Sequence, residues 1–394
     1  MKKDNFLLLE AQALKEELIR IRRTLHSHPE LGYTELMTSR LVSDYLLELG
    51  IEVITGVAKT GVIGIIKGAL PGNTIALRAD MDALPITEAY ESEYQSQNEG
   101  IMHACGHDAH TAMMLGTAKL LTKHRERLKG TVKLIFQPAE EIVSGAKAMI
   151  EEGVLHNPSV DAMIALHVLP DIETGKIEVK EGVIFASADE FEVNILGKGG
   201  HGSSPHNTID PIITGTQIVT AIQTIVSRKI DPAQPAVVSV CQFIAGTKSN
   251  IIPSTAYLSG TIRCQDKDVR NKIIEELDRI LRGVCSMSGA EYQLNINEQV
   301  PIVYNDKSIV KDFAAKTLFI LDENEIINMD KPRNYSEDFA LYGQNVPSML
   351  FLLGTKNVDK NCIYPLHNPN FTLDEDILPL GTALFTNYCL HREG

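Results

Sequence analysis

The sequence has no basic excess, no long apolar run and no paired cysteines, and each absence excludes a class of protein. Its 37 basic and 51 acidic side chains leave a net charge of −14. Nucleic acid and anionic membranes are therefore not expected partners, because binding to them needs clustered lysine and arginine. No segment approaches the ~18 uninterrupted apolar residues of a membrane span. The apolar run at residues 6–9 stops at Glu10, well short of the roughly 7–15 residues in the core of a signal peptide.

The six cysteines lie far apart and include no C-x-x-C pair. Such spacing is typical of proteins in a reducing compartment rather than of disulfide scaffolds. We therefore expect a cytoplasmic protein. A chain of 394 residues is also too long for one ordinary core, so two domains are expected.

The first part of the chain has the pattern of an α/β domain. Short, nearly continuous apolar runs predict strands that are buried on both faces, at 62–66, 74–78, 131–136 and 162–166. Helical periodicity predicts helices near 8–25, 37–49, 108–124 and 142–152. This alternation indicates a mixed, partly parallel sheet with helices on both faces.

From about residue 183 the pattern changes to the strict alternation of half-buried strands. The predicted elements are strands near 191–195, 236–244, 256–263 and 292–298 and helices near 210–229 and 266–287. They suit a smaller α+β domain with two helices on one face of an antiparallel sheet. We therefore expect an inserted domain at 183–296 within a discontinuous domain formed by 1–182 and 297–394, where 348–353 is a further strand.

Ligands of open α/β sheets lie beyond the carboxyl ends of the strands, and chemically active residues collect there. The residues that follow successive strands or precede a helix are Asp80, Cys105 with His107, Glu140 with Glu141, and His167. These residue types are the ones that bind transition metals. The sequence therefore suggests a metal site at this edge of the sheet.

Each of these residues, taken alone, has an ordinary structural explanation. A single histidine is more often a hydrogen-bonded core residue, Cys105 would be a small buried apolar group, and Glu140 and Glu141 would be favoured by the dipole of a helix start. Together they favour a metal site, because Cys105 and His107 can converge across Gly106. One of the two adjacent glutamates can bind metal while the other activates water. A mixed S/N/O set fits Zn²⁺, Mn²⁺ or Co²⁺ and leaves the choice open.

Three motifs resemble those of the M20 metallopeptidase family, in its amidohydrolase branch of aminoacylases, hippurate hydrolases and auxin-conjugate hydrolases. They are Arg78–Pro85 (RADMDALP), Cys105–His110 (CGHDAH) and Gln137–Glu141 (QPAEE). Further matches occur in the same order along nearly the whole chain, at 25–32, 197–201, 337–339 and 366–369.

The resemblance implies a site for two divalent metal ions per chain. Cys105 would bridge the ions, and the other ligands would be His107, Glu141, His167 and His367. Glu140 would be the general base, and Asp80 would help to orient the site. Related enzymes have a metal-binding histidine where Arg78 stands, and a guanidinium cannot be a ligand at ordinary pH. His367 rests on the resemblance alone, because a histidine in a loop is otherwise unremarkable.

The resemblance also implies that the inserted domain is a lid and dimerisation domain. His201 would polarise the scissile carbonyl, and Asn250 and Arg263 would hold the substrate carboxylate; alternatively, Arg263 only closes a strand end. We expect a homodimer, with a homotetramer as the alternative. Residues 197–202 also match G-x-G-x-x-G, but Ser-Ser-Pro-His follows where a dinucleotide site needs a helix.

These features predict a metal-dependent amidohydrolase that cleaves N-acyl amino acids or similar peptide-like small molecules. A dipeptidase or aminopeptidase on the same scaffold is the first alternative. A metal-free enzyme with Cys105 as nucleophile and a catalytically inactive binding protein are the others. Ser336 and Gly202 depart from the usual family pattern and put substrate preference in doubt rather than mechanism.

Overall fold

The structure, a computed structural model, describes residues 6–392, which divide into two compact units. The first unit contains residues up to 182 together with 304–331 and the chain from 338 onward. The second unit contains 183–303 and 332–337. The helices are α1 Phe6–Ala13, α2 Lys15–Ser27, α3 Leu36–Glu48, α4 His107–Lys123, α5 Gly145–Glu151, α6 Pro211–Lys229, α7 Lys267–Ser288, α8 Lys307–Thr317, α9 Ala340–Gly343 and α10 Leu378–His391.

The strands alternate with these helices along the chain. They are β1 Glu52–Val57, β2 Gly61–Lys67, β3 Leu70–Asp80, β4 Lys129–Gln137, β5 Ala162–Glu173, β6 Ile177–Val179, β7 Gly182–Phe185, β8 Ser187–Leu196, β9 Gly200–His201, β10 Ala236–Ala245, β11 Ile251–Ile252, β12 Thr255–Cys264, β13 Glu291–Val300, β14 Val303–Asn305, β15 Ile326–Asn328 and β16 Ser348–Lys356.

The first unit is built on an eight-stranded mixed sheet with the order β1-β2-β4-β3-β5-β16-β6-β15. Its central strands β4, β3, β5 and β16 run parallel, so their carboxyl ends meet at one edge. The register pairs Asp80 with Gln137 and Arg78 with Ala165, and His167 lies two residues beyond Ala165. Asp80, Gln137 and His167 therefore stand at the same level of the sheet, directly below the chain segments that follow the strands.

The core of the first unit packs around two helices that are buried on nearly all sides, α4 and α10. Helix α10 is apolar on nearly every side and therefore requires such a position, whereas α4 also buries polar residues of its first turn. Because α4 begins at His107, its burial anchors the preceding Cys105–Gly106 turn to the centre of the unit. Among the helices that the structure describes, none combines the length and apolar character that crossing a bilayer demands.

The second unit has a four-stranded antiparallel sheet with the order β10-β12-β8-β13. Apolar residues of α6 and α7 pack on the buried face of this sheet, among them Ile218, Ile222, Ile273 and Leu277. A short two-stranded ladder pairs β9 with β11. The predicted fold class is thereby confirmed: a mixed α/β unit accompanied by a smaller α+β unit with two helices.

Several predicted elements differ in detail from the structure. The helix expected at 8–25 is two helices, since the N–H of Leu14 bonds to the carbonyl of Ala11 only three residues back. The helix expected at 142–152 begins at Gly145, because Val143 has φ +55°, which no right-handed helix allows. Residues 297–303 and 332–337 group with the second unit. Strand β13 continues to pair with β8 as far as Val300, and the N–H of Ala186 bonds to the carbonyls of Arg333 and Tyr335.

A buried ionic network ties α2 to the start of α4. Arg22 donates from Nε to Asp108 Oδ2 at 2.7 Å, and His26 Nδ1 lies 2.8 Å from the same oxygen. The other ring nitrogen of His26 lies 3.0 Å from Glu88 Oε1. Burial opposes ionisation of Asp108, but Arg22 and His26 hold its pKa far below the usual value. Asp108 follows His107 directly, so this network orients the first turn of α4.

We expect Arg22→Met to lower the free energy of unfolding of the metal-free protein by about 3–5 kcal/mol, because it leaves a buried carboxylate without its main partner. Arg23→Met is the matched control. Arg23 pairs with Glu375 at 2.6 Å and is 41% exposed, so its loss should cost at most about 1 kcal/mol. Urea unfolding of both variants measures the difference, and equal losses would contradict the structural role of the network.

Candidate metal centre

The turn before α4 brings two side chains of the C-G-H motif to one place. Gly106 has φ +85°, a left-handed conformation that favours glycine. A Cβ atom at this position would also lie 2.3 Å from the Val168 side chain. Glycine thus permits the turn that leaves Cys105 and His107 both buried and directed into the same space.

Cys105 and His107 form a cluster with His167 from β5, in which one potential ligand atom of each residue lies within 4.8 Å of the others. Cys105 Sγ is 3.5 Å from His167 Nε2. His167 Nδ1 is 2.7 Å from the carbonyl oxygen of Val168, which can only accept, so the proton resides on Nδ1. The lone pair of Nε2 therefore faces the cysteine sulfur.

Cys105 also belongs to a second cluster, with Glu141 and His367. His367 Nε2 is 3.5 Å from Glu141 Oε1. His367 has φ +62°, and its backbone N–H donates to the carbonyl of Ala104 at 2.9 Å. This bond fixes the His367 loop to the Cys105 turn. The side chain of His367 is 51% exposed, whereas the other members of both clusters are mostly enclosed.

Asp82 supports one residue of each cluster. His107 Nδ1 donates to the Asp82 carbonyl at 2.9 Å, which leaves His107 Nε2 as the atom that can bind a cation. The Asp82 carboxylate accepts the backbone N–H of Glu141 at 3.0 Å. Such outer contacts fix the tautomer and direction of metal-binding side chains.

Asp80 lies beneath the clusters and is held from two sides. His110 Nδ1 donates to Asp80 Oδ1 at 2.6 Å, and the guanidinium of Arg78 donates to Oδ2. Burial opposes ionisation of Asp80, but Arg78, His107 and His110 hold its pKa well below the usual value. His110 Nε2 accepts the N–H of Val168 at 3.0 Å, so both nitrogens of His110 are occupied and neither is free to bind metal.

Glu140 lies beside both clusters, in a group with His107 and Glu141 whose ligand atoms are within 4.8 Å of one another. It is 8% exposed. The first unit thus brings together seven of the predicted site residues, as expected from the strand ends and the motifs. They are Asp80, Cys105, His107, Glu140, Glu141, His167 and His367.

The electrostatics of the centre favour an added positive charge. Burial would lower the pKa of His107, but Asp80, Asp82 and Glu141 raise it to about 10. Burial and the nearby carboxylates of Glu141 and Glu140 raise the pKa of the Cys105 thiol well above its usual value. A cation at the centre would offset the repulsion between these groups and stabilise the thiolate form of Cys105.

The residues present fit such a cation. His107 Nε2 and Glu141 Oε1 are both buried, and neither has a hydrogen-bond partner among residues 6–392. Buried polar atoms without partners are unusual and call for an explanation. The donor set suits two transition-metal ions. It consists of one thiol, three imidazoles and one carboxylate, arranged as two groups that share Cys105.

Comparison with known proteins agrees with the motifs. A model of the peptidase family M20/M25/M40 matches residues 76–391. The chain belongs to this family. It is 44% identical to thermostable carboxypeptidase 2 of Saccharolobus solfataricus over 376 residues, covering 94% of both chains. It is 42% identical to the N-acetylcysteine deacetylase of Bacillus subtilis over 375 residues, covering 95% of this chain and 96% of the other.

Among solved structures, the fold is similar to the Bacillus subtilis YXEP protein, a dinuclear metal-binding peptidase of the M20 family. The TM-score is 0.84 at 38% identity, and the match covers 96% of this chain and 98% of that one. The predicted family is confirmed, and with it a place among hydrolases of amide and peptide bonds.

The remaining predicted residues of this M20 chain lie in the second unit. His201 is exposed on β9, opposite Ile251 of β11, and its Nδ1 is 2.8 Å from Ser203 Oγ. The Asn250 carbonyl accepts the N–H of Gly202 at 2.8 Å, so Asn250 and His201 are neighbours. Arg263 lies near the far end of β12, about 26 Å of extended strand from Thr255, where it donates to the Ile262 carbonyl at 3.1 Å. Within this unit, Arg263 is therefore remote from the other two.

The sequence patterns did not reveal the carboxylates that hold the loop after β4. Asp82 follows a predicted strand and lies in the 78–85 motif but was assigned no role, and Glu35 was not selected as a candidate residue. Glu35 is completely buried, and a glutamate directly before the start of a helix carries no signal of burial. A signal could have come from its place just after the 25–32 motif, which matches the family.

Proposed function

We propose that this M20 protein is a metal-dependent amidohydrolase that cleaves the amide bond of N-acyl amino acids. The observation that carries the proposal is the arrangement of the two clusters, Cys105–His107–His167 and Cys105–Glu141–His367, around one shared sulfur. Glu140, the buried glutamate next to Glu141 in the loop after β4, lies beside the two clusters.

In this proposal each cluster would hold one divalent ion, Zn²⁺, Mn²⁺ or Co²⁺, and Cys105 would contribute its sulfur to both clusters. When bound, the ions would supply Lewis-acid polarisation of the substrate carbonyl and a water of lowered pKa. His107 and His167 present Nε2, because their Nδ1 protons are bound by the carbonyls of Asp82 and Val168.

Glu140 has the role of general base. It removes a proton from the attacking water as the new C–O bond forms at the amide carbon. It then delivers this proton to the nitrogen as the C–N bond breaks, so that a carboxylic acid and a free amino acid leave. Glu140 is nearly enclosed and lies next to the cluster residues His107 and Glu141, which suits a group that exchanges a proton with the attacking water. Asp80 orients the centre through Arg78 and His110.

The second unit, most of which is the predicted insertion at 183–296, is proposed as the lid and dimerisation domain, and the first unit as the catalytic domain. His201 would polarise the substrate carbonyl. Asn250 or Arg263, which lie too far apart within one unit to act on the same group together, would bind the substrate carboxylate. We propose a homodimer, or a homotetramer, that acts in the cytoplasm on small peptide-like substrates.

A peptidase is the second candidate, because thermostable carboxypeptidase 2 is as similar to this chain as the deacetylase. The two functions share the metal centre and differ in the group on the acyl side of the amide bond. The thiol-nucleophile alternative is disfavoured, since nucleophilic attack needs the thiolate and the surroundings of Cys105 raise the pKa of its thiol.

The test is to measure bound metal and hydrolysis together. The purified protein is assayed as isolated, after chelation, and after addition of Mn²⁺, Zn²⁺ or Co²⁺, against N-acyl amino acids and dipeptides. We expect about two ions per chain, activity lost on chelation and restored by metal, and a higher kcat/KM on acyl amino acids. Higher kcat/KM on peptides would select the second candidate, and activity that resists chelation would contradict both.

A further inference from the structure

The segment that carries Glu140 has a conformation that its own sequence does not favour. Ala139 has φ +55° and Val143 has φ +55°. Non-glycine residues are strained in this region and persist there only where surrounding contacts impose the conformation. Some neighbouring group must therefore hold the backbone on either side of Glu140.

Glu35 supplies the contact on the amino-terminal side. One of its carboxylate oxygens accepts the backbone N–H of Ala139 at 2.9 Å. The other accepts the hydroxyl of Thr60 at 2.6 Å. Glu35 is 0% exposed and Thr60 is 3% exposed, so both bonds are shielded from water and both carboxylate oxygens have a fixed direction.

Asp82 supplies the contact on the other side, because its carboxylate accepts the N–H of Glu141 at 3.0 Å. The amides before and after Glu140 are thus each held by a buried carboxylate. The backbone near Glu35 also packs directly on the loop: a Cβ atom on Gly32 would lie 3.0 Å from the Cα atom of Ala139. The contact leaves no room for Ala139 to move toward this segment.

We propose that Glu35 is a positioning residue for the reaction, which fixes the backbone of Ala139 and thereby the direction in which Glu140 presents its carboxylate. The inference rests on the proposed role of Glu140. It assigns the two carboxylates different effects: Asp82 supports the ligands His107 and Glu141, whereas Glu35 supports the base. Removal of Glu35 should therefore reduce turnover while metal binding is retained.

The test compares Glu35→Met with Glu30→Met. Glu30 lies in the same segment, and its carboxylate also accepts two bonds, from the backbone N–H groups of Met37 and Thr38 at 2.9 Å each. These bonds hold α3 rather than the Glu140 loop. Both substitutions remove a carboxylate that accepts two hydrogen bonds. A loss of activity caused only by general destabilisation should therefore appear in both variants, whereas an effect on Glu140 should appear only in Glu35→Met.

For Glu35→Met we expect kcat to fall about 10- to 100-fold, the size of effect that a misplacement of about 1 Å produces, with KM nearly unchanged and metal content retained. In the metal-free protein, amide hydrogen exchange of a peptide spanning 137–145 should become faster. Glu30→Met should leave kcat and the exchange rate of the 137–145 peptide unchanged. Glu35→Gln should restore most of kcat, because its amide oxygen can still accept from Ala139 and the Thr60 hydroxyl can turn to accept from its NH₂ group.

A double substitution distinguishes failure of this inference from failure of the proposed function. If Glu35 acts through Glu140, then Glu35→Met causes no further loss in a Glu140→Gln background. Unchanged kcat and exchange in folded, metal-loaded Glu35→Met would overturn the positioning role alone. Full activity of Glu140→Gln would overturn the proposed base. If Glu35→Met does not fold, Thr60→Val removes only the hydroxyl that orients Glu35, and the same readouts should change about two- to fivefold; no change would equally overturn the role.

Discussion

Glu140→Gln should reduce kcat by a factor of about 10²–10⁴, the usual contribution of a general base, while the protein still binds about two metal ions per chain. The amide has the same shape as the carboxylate but cannot take a proton from water or return one to the leaving nitrogen. KM should change little, because Glu140 is proposed to act on the water rather than to bind the substrate. Steady-state kinetics together with metal analysis measure both quantities.

Glu141→Gln is the matched variant, because it makes the same change at the next residue. The Glu141 Oε1 atom is buried without a hydrogen-bond partner among the described residues and lies 3.5 Å from His367, so its proposed role is to bind metal. We expect this variant to lose metal as well as activity, and excess metal to recover part of the activity. If the two variants showed the same signature, the division of roles between the two glutamates would be wrong.

The parallel part of the fold and the residues at its edge could be predicted from the sequence because both depend on local patterns. Buried parallel strands appear in the sequence as continuous apolar runs. The residues that follow each run therefore lie at the carboxyl edge of the sheet. Asp80, Glu140 and Glu141 were found in this way, and the register of β3, β4 and β5 places their segments side by side. His167 was found despite an error in strand length, since β5 continues beyond it to Glu173.

Other parts of the centre depend on contacts between distant segments and leave no local signal. His367 reaches Glu141 from a loop that a backbone bond to Ala104 holds in place. The helical spacing of apolar residues predicts a helix from residue 142, but residues 142–144 belong to an irregular loop, because Val143 has positive φ. The carboxylate of Glu35 acts 104 residues away from its own position. Such pairings follow from the tertiary fold and not from periodicity.

In the second unit too, the sequence could not predict how the proposed substrate-binding residues are placed relative to one another. The neighbouring positions of His201 and Asn250 follow from the pairing of two very short strands, which no sequence pattern indicated. The alternation of residues 191–195 correctly predicted β8. It could not reveal that Arg263 and Asn250 would be separated by nearly the whole length of β12. Kinetics of separate Asn250 and Arg263 variants can therefore test the two proposed contacts independently.

Cys105→Ser should remove most of the bound metal and lower activity by more than about 10³-fold, because both clusters lose their shared ligand at once. A serine hydroxyl is nearly the same size but remains protonated and binds these ions weakly, whereas transition-metal ions favour thiolate. The fold itself should persist, since the substitution leaves the Gly106 turn and the buried helix α4 intact. Metal analysis and a thermal unfolding scan with and without added Mn²⁺ or Zn²⁺ measure the two effects.

Cys362→Ser provides the control for the loss of a buried thiol. Cys362 is 3% exposed in the same unit and donates to the Lys360 carbonyl at 3.5 Å, away from both clusters. It should keep its metal and show the wild-type rise in unfolding temperature when metal is added, since a ligand that binds the folded state stabilises it in proportion to RT ln(1 + [L]/Kd). Cys105→Ser should lose this rise. If Cys105→Ser bound two ions and remained inactive, the sulfur would be needed for chemistry rather than for metal binding, and the thiol-nucleophile alternative would regain support.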